Sequence, residues 1–172
     1  GAVSPASTYA WQLAQFLELD LHNLGVGGHV FDSEPFGALP VVHGAVVTVA
    51  YGTNDWTAGL TAAQIRANTE QLLRTIRERY PDPVPVVVVT PIWRADQHEK
   101  RSGGTLPEFS RHIAKSAEAA QCPVIDGMAL VPHDEACFVD GLHPNELGYM
   151  HYAANLYRAM RHAGGRPHRP GE

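Results

Sequence analysis

Two cysteines in 172 residues are too few to staple a fold or to complete a four-ligand zinc site. Cys122 and Cys137 have no histidine cluster at ligand spacing beside them, so no metal is expected, and no other cofactor is implied. As a pair they stand either for one disulfide, in a secreted protein, or for two buried thiols, because sequence does not fix their separation. Cationic residues are also short: 13 Lys and Arg against 18 Asp and Glu leave a formal charge of -5. They are scattered, with no basic stripe for a phosphate backbone, so nucleic acid is not an expected partner. Long apolar runs are missing too. "PVVHGAVVTVAYG" and "PVPVVVVTPIW" stop well short of the roughly 20 residues a spanning helix needs, so no membrane segment is visible. The chain opens at "GAVSPASTYAW" without an initiator methionine or a signal-peptide pattern, and its native start is expected elsewhere. Nothing here assigns a compartment.

What is present is an ordinary globular composition, 44% apolar and 18% charged, on a length that suits one domain over residues 1–172 with its own core. Four short apolar runs alternate with four helical patterns. The runs are "LDLHNLG" (19–25), "AVVTVAYG" (45–52), "PVVVVTPI" (85–92) and "PVIDG" (123–127). Their Val and Ile are continuous rather than alternating, which predicts strands covered on both faces in a parallel sheet.

Helical spacing puts Tyr9, Leu13, Phe16 and Leu17 on one face, then Ile65, Leu72, Leu73, Ile76 and Tyr80 within 61–80. A third stripe is Leu106, Phe109, Ile113 and Ala117, and a fourth is Tyr149, Tyr152, Leu156 and Met160 after Asn145. Thr61 with Gln64, and Thr105 with Glu108, carry the capping-box signature. These stripes are read as core. The alternation predicts right-handed βαβ crossovers, a central parallel sheet with helices on both faces in a three-layer α/β/α fold, and ligands at the C-terminal strand ends. No internal repeat or linker interrupts it, and the Gly/Pro-rich end, 164–172, is expected to be disordered.

The unusual residues fall at those strand ends. "NLGVGG" (23–28) is not a dinucleotide fingerprint, since counting from Gly25 the third glycine place is Val30. It reads either as a turn needing positive φ or as a place where a backbone N–H closely approaches a ligand oxygen. "YGTNDW" (51–56) offers Asn54 as a fixed side-chain donor, against the plainer reading of residues that bond their own backbone. In "FVDGLHPNELGY" (138–149), Asp140 lies three residues ahead of His143. Its carboxylate can accept the Nδ1 proton and leave Nε2 free as a base, as in a nucleophilic triad. The plainer alternative is a helix-capping loop with a surface histidine. His151, His162 and the remaining histidines are read as solvated or locally satisfied.

In this order the three motifs resemble those of the SGNH, or GDSL-type, hydrolases, a family of esterases and lipases. "NLGVGG" looks like its second motif, "GTND" its third and "DGLHP" its fifth, so the likeness spans nearly the whole chain. The resemblance implies that Gly28 contributes a backbone N–H and Asn54 a carboxamide to an oxyanion hole, with Asp140 and His143 as triad members. Gly27 stands where many members have Ser, a difference expected to be tolerated. The family's nucleophile belongs to a G-D-S-x-T-x-G turn after a first strand, and neither that turn nor that strand is seen here. With Gly1 matched to the turn's last Gly, the Ser falls about four positions before residue 1. Ser4 and Ser7 lack the strand-then-turn setting that holds such a Ser rigid. That first strand would lie centrally, between the first two runs, so an upstream segment or domain is expected to complete the fold.

The activity implied is hydrolysis of a small acyl ester by Ser, His and Asp, or acyl transfer if an alcohol replaces water as acceptor. Two polar loops, 29–40 and 93–104, follow functional strand ends and are candidates to shape the pocket. Trp56 and Trp93 are weaker candidates to face a sugar or acyl group, with packing as the other role for each. The polar loops favour a small-molecule or carbohydrate ester over a long-chain lipid. Two further readings are a ligand-binding relative that has lost its Ser and, last, a flavodoxin-like cofactor binder, which leaves "DGLHP" unexplained.

Overall fold

The computed structural model describes residues 2, 4–31, 46–80 and 84–162. The 164–172 tail, Gly1 and most of the 29–40 loop lie outside the described residues. The helices are α1 (Tyr9–Leu17), α2 (Thr53–Thr57), α3 (Ala62–Arg79), α4 (Leu106–Ala119) and α5 (Glu146–His162). The strands are β1 (Val47–Ala50), β2 (Val86–Val89) and β3 (Val124–Ile125), in the sheet order β1-β2-β3. β1 and β2 run parallel, with Val47 opposite Val86 and Ala50 opposite Val89. All four valines of β2 are buried, as continuous branched residues predict for a covered strand. On β1 only Val49 is buried.

The 19–25 run is the exception to the expected strands, for no strand is assigned over it. Its polar residues Asp20, His22 and Asn23 interrupt the apolar ones, and Leu21 and Leu24 are each 40% exposed.

Packing divides the chain into two compact units. One comprises Gly1–Asn23, Ile92–Gln97 and Ile125–Arg166. Here α1 packs on α5 through aromatic stacking, with Tyr9 4.0 Å from Tyr152 and 6.3 Å from Tyr149. Leu13, Tyr152, Leu156 and Met160 are buried, whereas Phe16 lies at the rim, 44% exposed against Tyr157. The other comprises Leu24–Pro91 and His98–Val124. In it α3 packs on α4, and every residue of their two predicted stripes is buried. Both capping boxes form, with each Thr oxygen accepting the N3 amide and the Gln or Glu side chain reaching back.

Cys122 and Cys137 are buried free thiols. Burial, with the Asp134 charge, pushes the Cys137 thiol up from its ordinary value.

Candidate active site

In the first unit, the segment ahead of α5 is a tight loop. Phe138 bridges Pro144, and the Val139 amide donates to the His143 carbonyl at 2.9 Å. Gly141 turns the chain at φ 73°, a value that favours glycine. Asn145 fixes the exit: its side-chain amide donates to the Ala136 carbonyl at 2.7 Å, and its Oδ1 accepts the Gly148 N–H at 3.1 Å, capping α5.

This loop brings Asp140 to His143. Asp140 Oδ1 accepts the backbone amides of Leu142 at 3.0 Å and His143 at 2.8 Å, while Oδ2 lies 2.8 Å from His143 Nδ1. An ionised carboxylate only accepts, so Nδ1 carries the proton and the lone pair of neutral imidazole sits on Nε2. The His143 side chain is 63% exposed. No hydrogen bond to its Nε2 is formed among the described residues. Bonds from the His143 backbone and ring, chiefly, hold the Asp140 carboxyl well below the usual range. The ring therefore has a fixed tautomer and an open basic nitrogen.

Trp93 belongs to the same unit, half-buried, 5.8 Å from the His133 ring and 4.9 Å from Phe138. Ser7 donates its hydroxyl to Glu146 at 3.0 Å, and the Ser4 hydroxyl lies 3.1 Å from that of Ser7. These bonds give neither serine a link to His143.

The second unit holds the glycine turn and the residues after β1. The His29 amide donates to the Val26 carbonyl at 3.1 Å, and Gly28 occupies the third turn position at φ 80°, as in a type II turn. Asn54 sits in α2 and donates its carboxamide N–H to the His29 carbonyl at 2.8 Å. The structure thus brings Asn54 to the turn that contains Gly28. β1 does not run on into "GTND"; Gly52, at φ 112°, breaks it and opens α2. A Cβ at Gly52 would run into the Ile113 and Pro91 side chains.

Trp56 is fully buried, with its indole N–H donated to the Gly104 carbonyl at 2.9 Å and the Arg101 guanidinium 4.1 Å over its ring. Of the two roles expected for it, this is packing. Asp55, which sequence reasoning passed over, is also fully buried, and its Oδ1 accepts the Phe31 amide at 3.0 Å. The signal available was an acid placed at the start of a helix beside an Asn of the strand-end motif.

Among the described residues, no group of three or more His, Cys, Asp or Glu side chains is placed to hold a metal ion. Nor is any described helix long and apolar enough to cross a membrane.

Parallel strands joined through helices, with a carboxylate-held imidazole just ahead of the last helix, place the chain in the α/β/α class of SGNH hydrolase folds. It belongs to the GDSL-like lipase/acylhydrolase family, whose model matches residues 1–151. Among solved structures it is similar to the salicylyl-acyltransferase SsfX3 from a tetracycline biosynthetic pathway, with a TM-score of 0.79 and 22% identity. That match covers 98% of this chain and 52% of the acyltransferase, so the chain spans about half its length. A possible lipase from Chitinophaga pinensis matches with TM-score 0.73 and 21% identity, over 91% of this chain and 89% of that one. The aryl esterase of M. smegmatis matches with TM-score 0.68 and 20% identity, over 93% and 87%. At these identities the likeness establishes the fold. Among curated proteins none matches the chain by sequence.

Proposed function

We propose that this chain is part of a serine esterase of the SGNH type, which hydrolyses a small acyl ester with a Ser carried upstream of residue 1. Residues 1–172 form, with that segment, a single hydrolase domain. The brace of Asp140 on His143 carries this reading: Nδ1 is committed to the carboxylate at 2.8 Å and Nε2 is left to take a proton. The half-exposed β1 edge and the motif order support the upstream segment.

In the reaction, His143 Nε2 accepts the proton of the Ser hydroxyl as its oxygen bonds the ester carbonyl carbon. Asp140 stabilises the imidazolium. The carbonyl oxygen, now negative, takes hydrogen bonds from the Gly28 N–H and Asn54 Nδ2. Collapse of the tetrahedral intermediate breaks the bond to the alkoxy oxygen, which receives the proton from His143. Water, activated by the same imidazole, then releases the acid. An alcohol in place of water would make the reaction acyl transfer. Trp93, with one side packed on Phe138, offers its half-buried ring to the acyl or sugar group.

The test is His143→Ala in the full-length protein. Ester turnover and labelling by a fluorophosphonate probe are both expected to vanish, and turnover at the wild-type rate would reject the assignment. Comparing acetyl with long-chain p-nitrophenyl esters tests the substrate class, for which the acetyl ester is expected to be preferred.

A further inference from the structure

We propose that Asp55 is a positioning residue for the oxyanion site: by accepting the Phe31 N–H, its buried carboxylate holds the segment behind the glycine turn where Asn54 and Gly28 can act together. This rests on the esterase reading above.

A carboxylate in the interior is costly unless its oxygens are bonded. Asp55 is fully buried, yet only Oδ1 has a clear partner, the Phe31 amide at 3.0 Å, and Oδ2 has none among the described residues. Burial raises its pKa against the pull of the Phe31, Asp55 and Gly52 amides. An apolar residue would fill the space without that cost, so packing does not account for the acid. What the carboxylate does is grip backbone 24 residues earlier in the chain.

The grip has a pattern. Consecutive side chains, Asn54 and Asp55, bond alternate residues: the carbonyl of His29 at 2.8 Å and the amide of Phe31 at 3.0 Å. Both bonds run from adjacent side chains to one three-residue stretch of backbone, so they act as a two-point clamp. The Phe31 ring, itself buried, lies 5.2 Å from Tyr51 and anchors the far end. The 26–29 turn is closed by the His29 to Val26 bond at 3.1 Å, and its glycines supply no stiffness of their own. The direction of the Gly28 N–H therefore depends on where residues 29–31 are held. The bond from Asn54 to His29 also orients the carboxamide, leaving its second N–H to aim at substrate.

The experiment uses the full-length protein with p-nitrophenyl acetate. Asp55→Ala is expected to lower kcat roughly tenfold to a hundredfold with KM within about twofold, the size expected when a donor is displaced rather than deleted. Asp55→Asn, which keeps an acceptor for Phe31, is expected to recover most of that loss. In an Asn54→Ala background the loss from Asp55→Ala should shrink, because both act through one site. Amide spectra by NMR should show the Gly28 N–H and the Asn54 carboxamide shifting in Asp55→Ala and staying near their places in Asp55→Asn. A folded Asp55→Ala protein with wild-type kcat, full additivity with Asn54→Ala, or unmoved Gly28 and Asn54 signals would each overturn the proposal. Should the alanine variant not fold, Asp55→Ser, whose hydroxyl is too short to reach Phe31, takes its place. Failure of both to fold would make Asp55 a determinant of the whole fold and equally overturn it. If the wild type turns over no ester, the esterase reading falls, and the NMR comparison still decides the clamp.

Discussion

The Ala95 amide donates to the Gly141 carbonyl at 2.8 Å, which bonds the segment after β2 to the tip of the turn holding Asp140 and His143. Ala95 is itself bracketed by a two-point ion pair, in which Arg94 Nε and Nη2 meet the Asp96 carboxylate at 2.5 and 2.9 Å. Arg94 is buried. Two such contacts give the exposed turn of Asp140 and His143 a rigid backing.

Gly141→Ala strains that backing twice. At φ 73° a side chain is disfavoured, and the new Cβ would lie 3.0 Å from the Ala95 Cβ. The expected cost is about 1–2 kcal/mol of stability in denaturant titration. On the esterase reading, turnover is expected to fall about tenfold or more, because Asp140 and His143 move together. Wild-type kinetics in this variant would show that the turn is held by other means.

Neighbouring glycines in the other unit are expected to behave in opposite ways. A Cβ added at Gly27 would meet no heavy atom within 4 Å, and the φ there is not positive. Gly27→Ser should therefore change stability by no more than about 0.5 kcal/mol and leave turnover alone. Gly28 has equal space but a φ of 80°, so Gly28→Ala should cost about 1 kcal/mol or more and lower turnover through the displaced N–H. Equal effects from the two substitutions would contradict the turn geometry.

Asp140→Asn keeps an oxygen for the Leu142 and His143 amides but removes the charge that fixes the ring tautomer. Turnover is expected to drop by roughly four orders of magnitude, as in the serine-protease template, with the fold retained. The pH dependence has a definite sign. The carboxyl is depressed in the folded state, so its contribution to stability is full above its unfolded value near about 3.9 and is lost as pH falls through the lower folded value. Thermal unfolding of wild type and Asp140→Asn should therefore differ by a constant amount above about pH 5 and converge in stronger acid.

Sequence pattern is enough for α1, α3, α4 and α5, whose apolar stripes are local, though not for the short α2 within the strand-end motif, and it is enough for β2 because four valines in a row admit little but a covered strand. It is not enough at 19–25, where apolar content suggests a strand and none forms, with Leu21 and Leu24 half-exposed among Asp20, His22 and Asn23. Asp140 and His143 are legible for the same local reason: three residues of separation suffice for a carboxylate to reach an imidazole. The bond between Asn54 and His29 is not, because it spans 25 residues and depends on how the chain folds back. Asp55 escapes notice in the sequence because an acid at a helix start is ordinary, and only burial makes it unusual.

That burial leads to the last prediction. Asp55 has a raised pKa in the folded state, chiefly from desolvation. Between the unfolded value of about 3.9 and the higher folded one, the native state binds more protons than the unfolded chain, so stability falls as pH rises through that window. Above the folded value the protein carries the penalty of a desolvated charge. Asp55→Asn removes the charge and keeps an acceptor for Phe31, so its melting temperature at pH 7 should exceed that of wild type, on the order of 2–4 °C for each kcal/mol relieved. The advantage should shrink as the pH is lowered through the folded value toward about 3.9, and wild-type Asp55 is neutral in both states only below that. An asparagine variant less stable than wild type at pH 7 would mean that the charge-assisted bond to Phe31 outweighs the cost of burial.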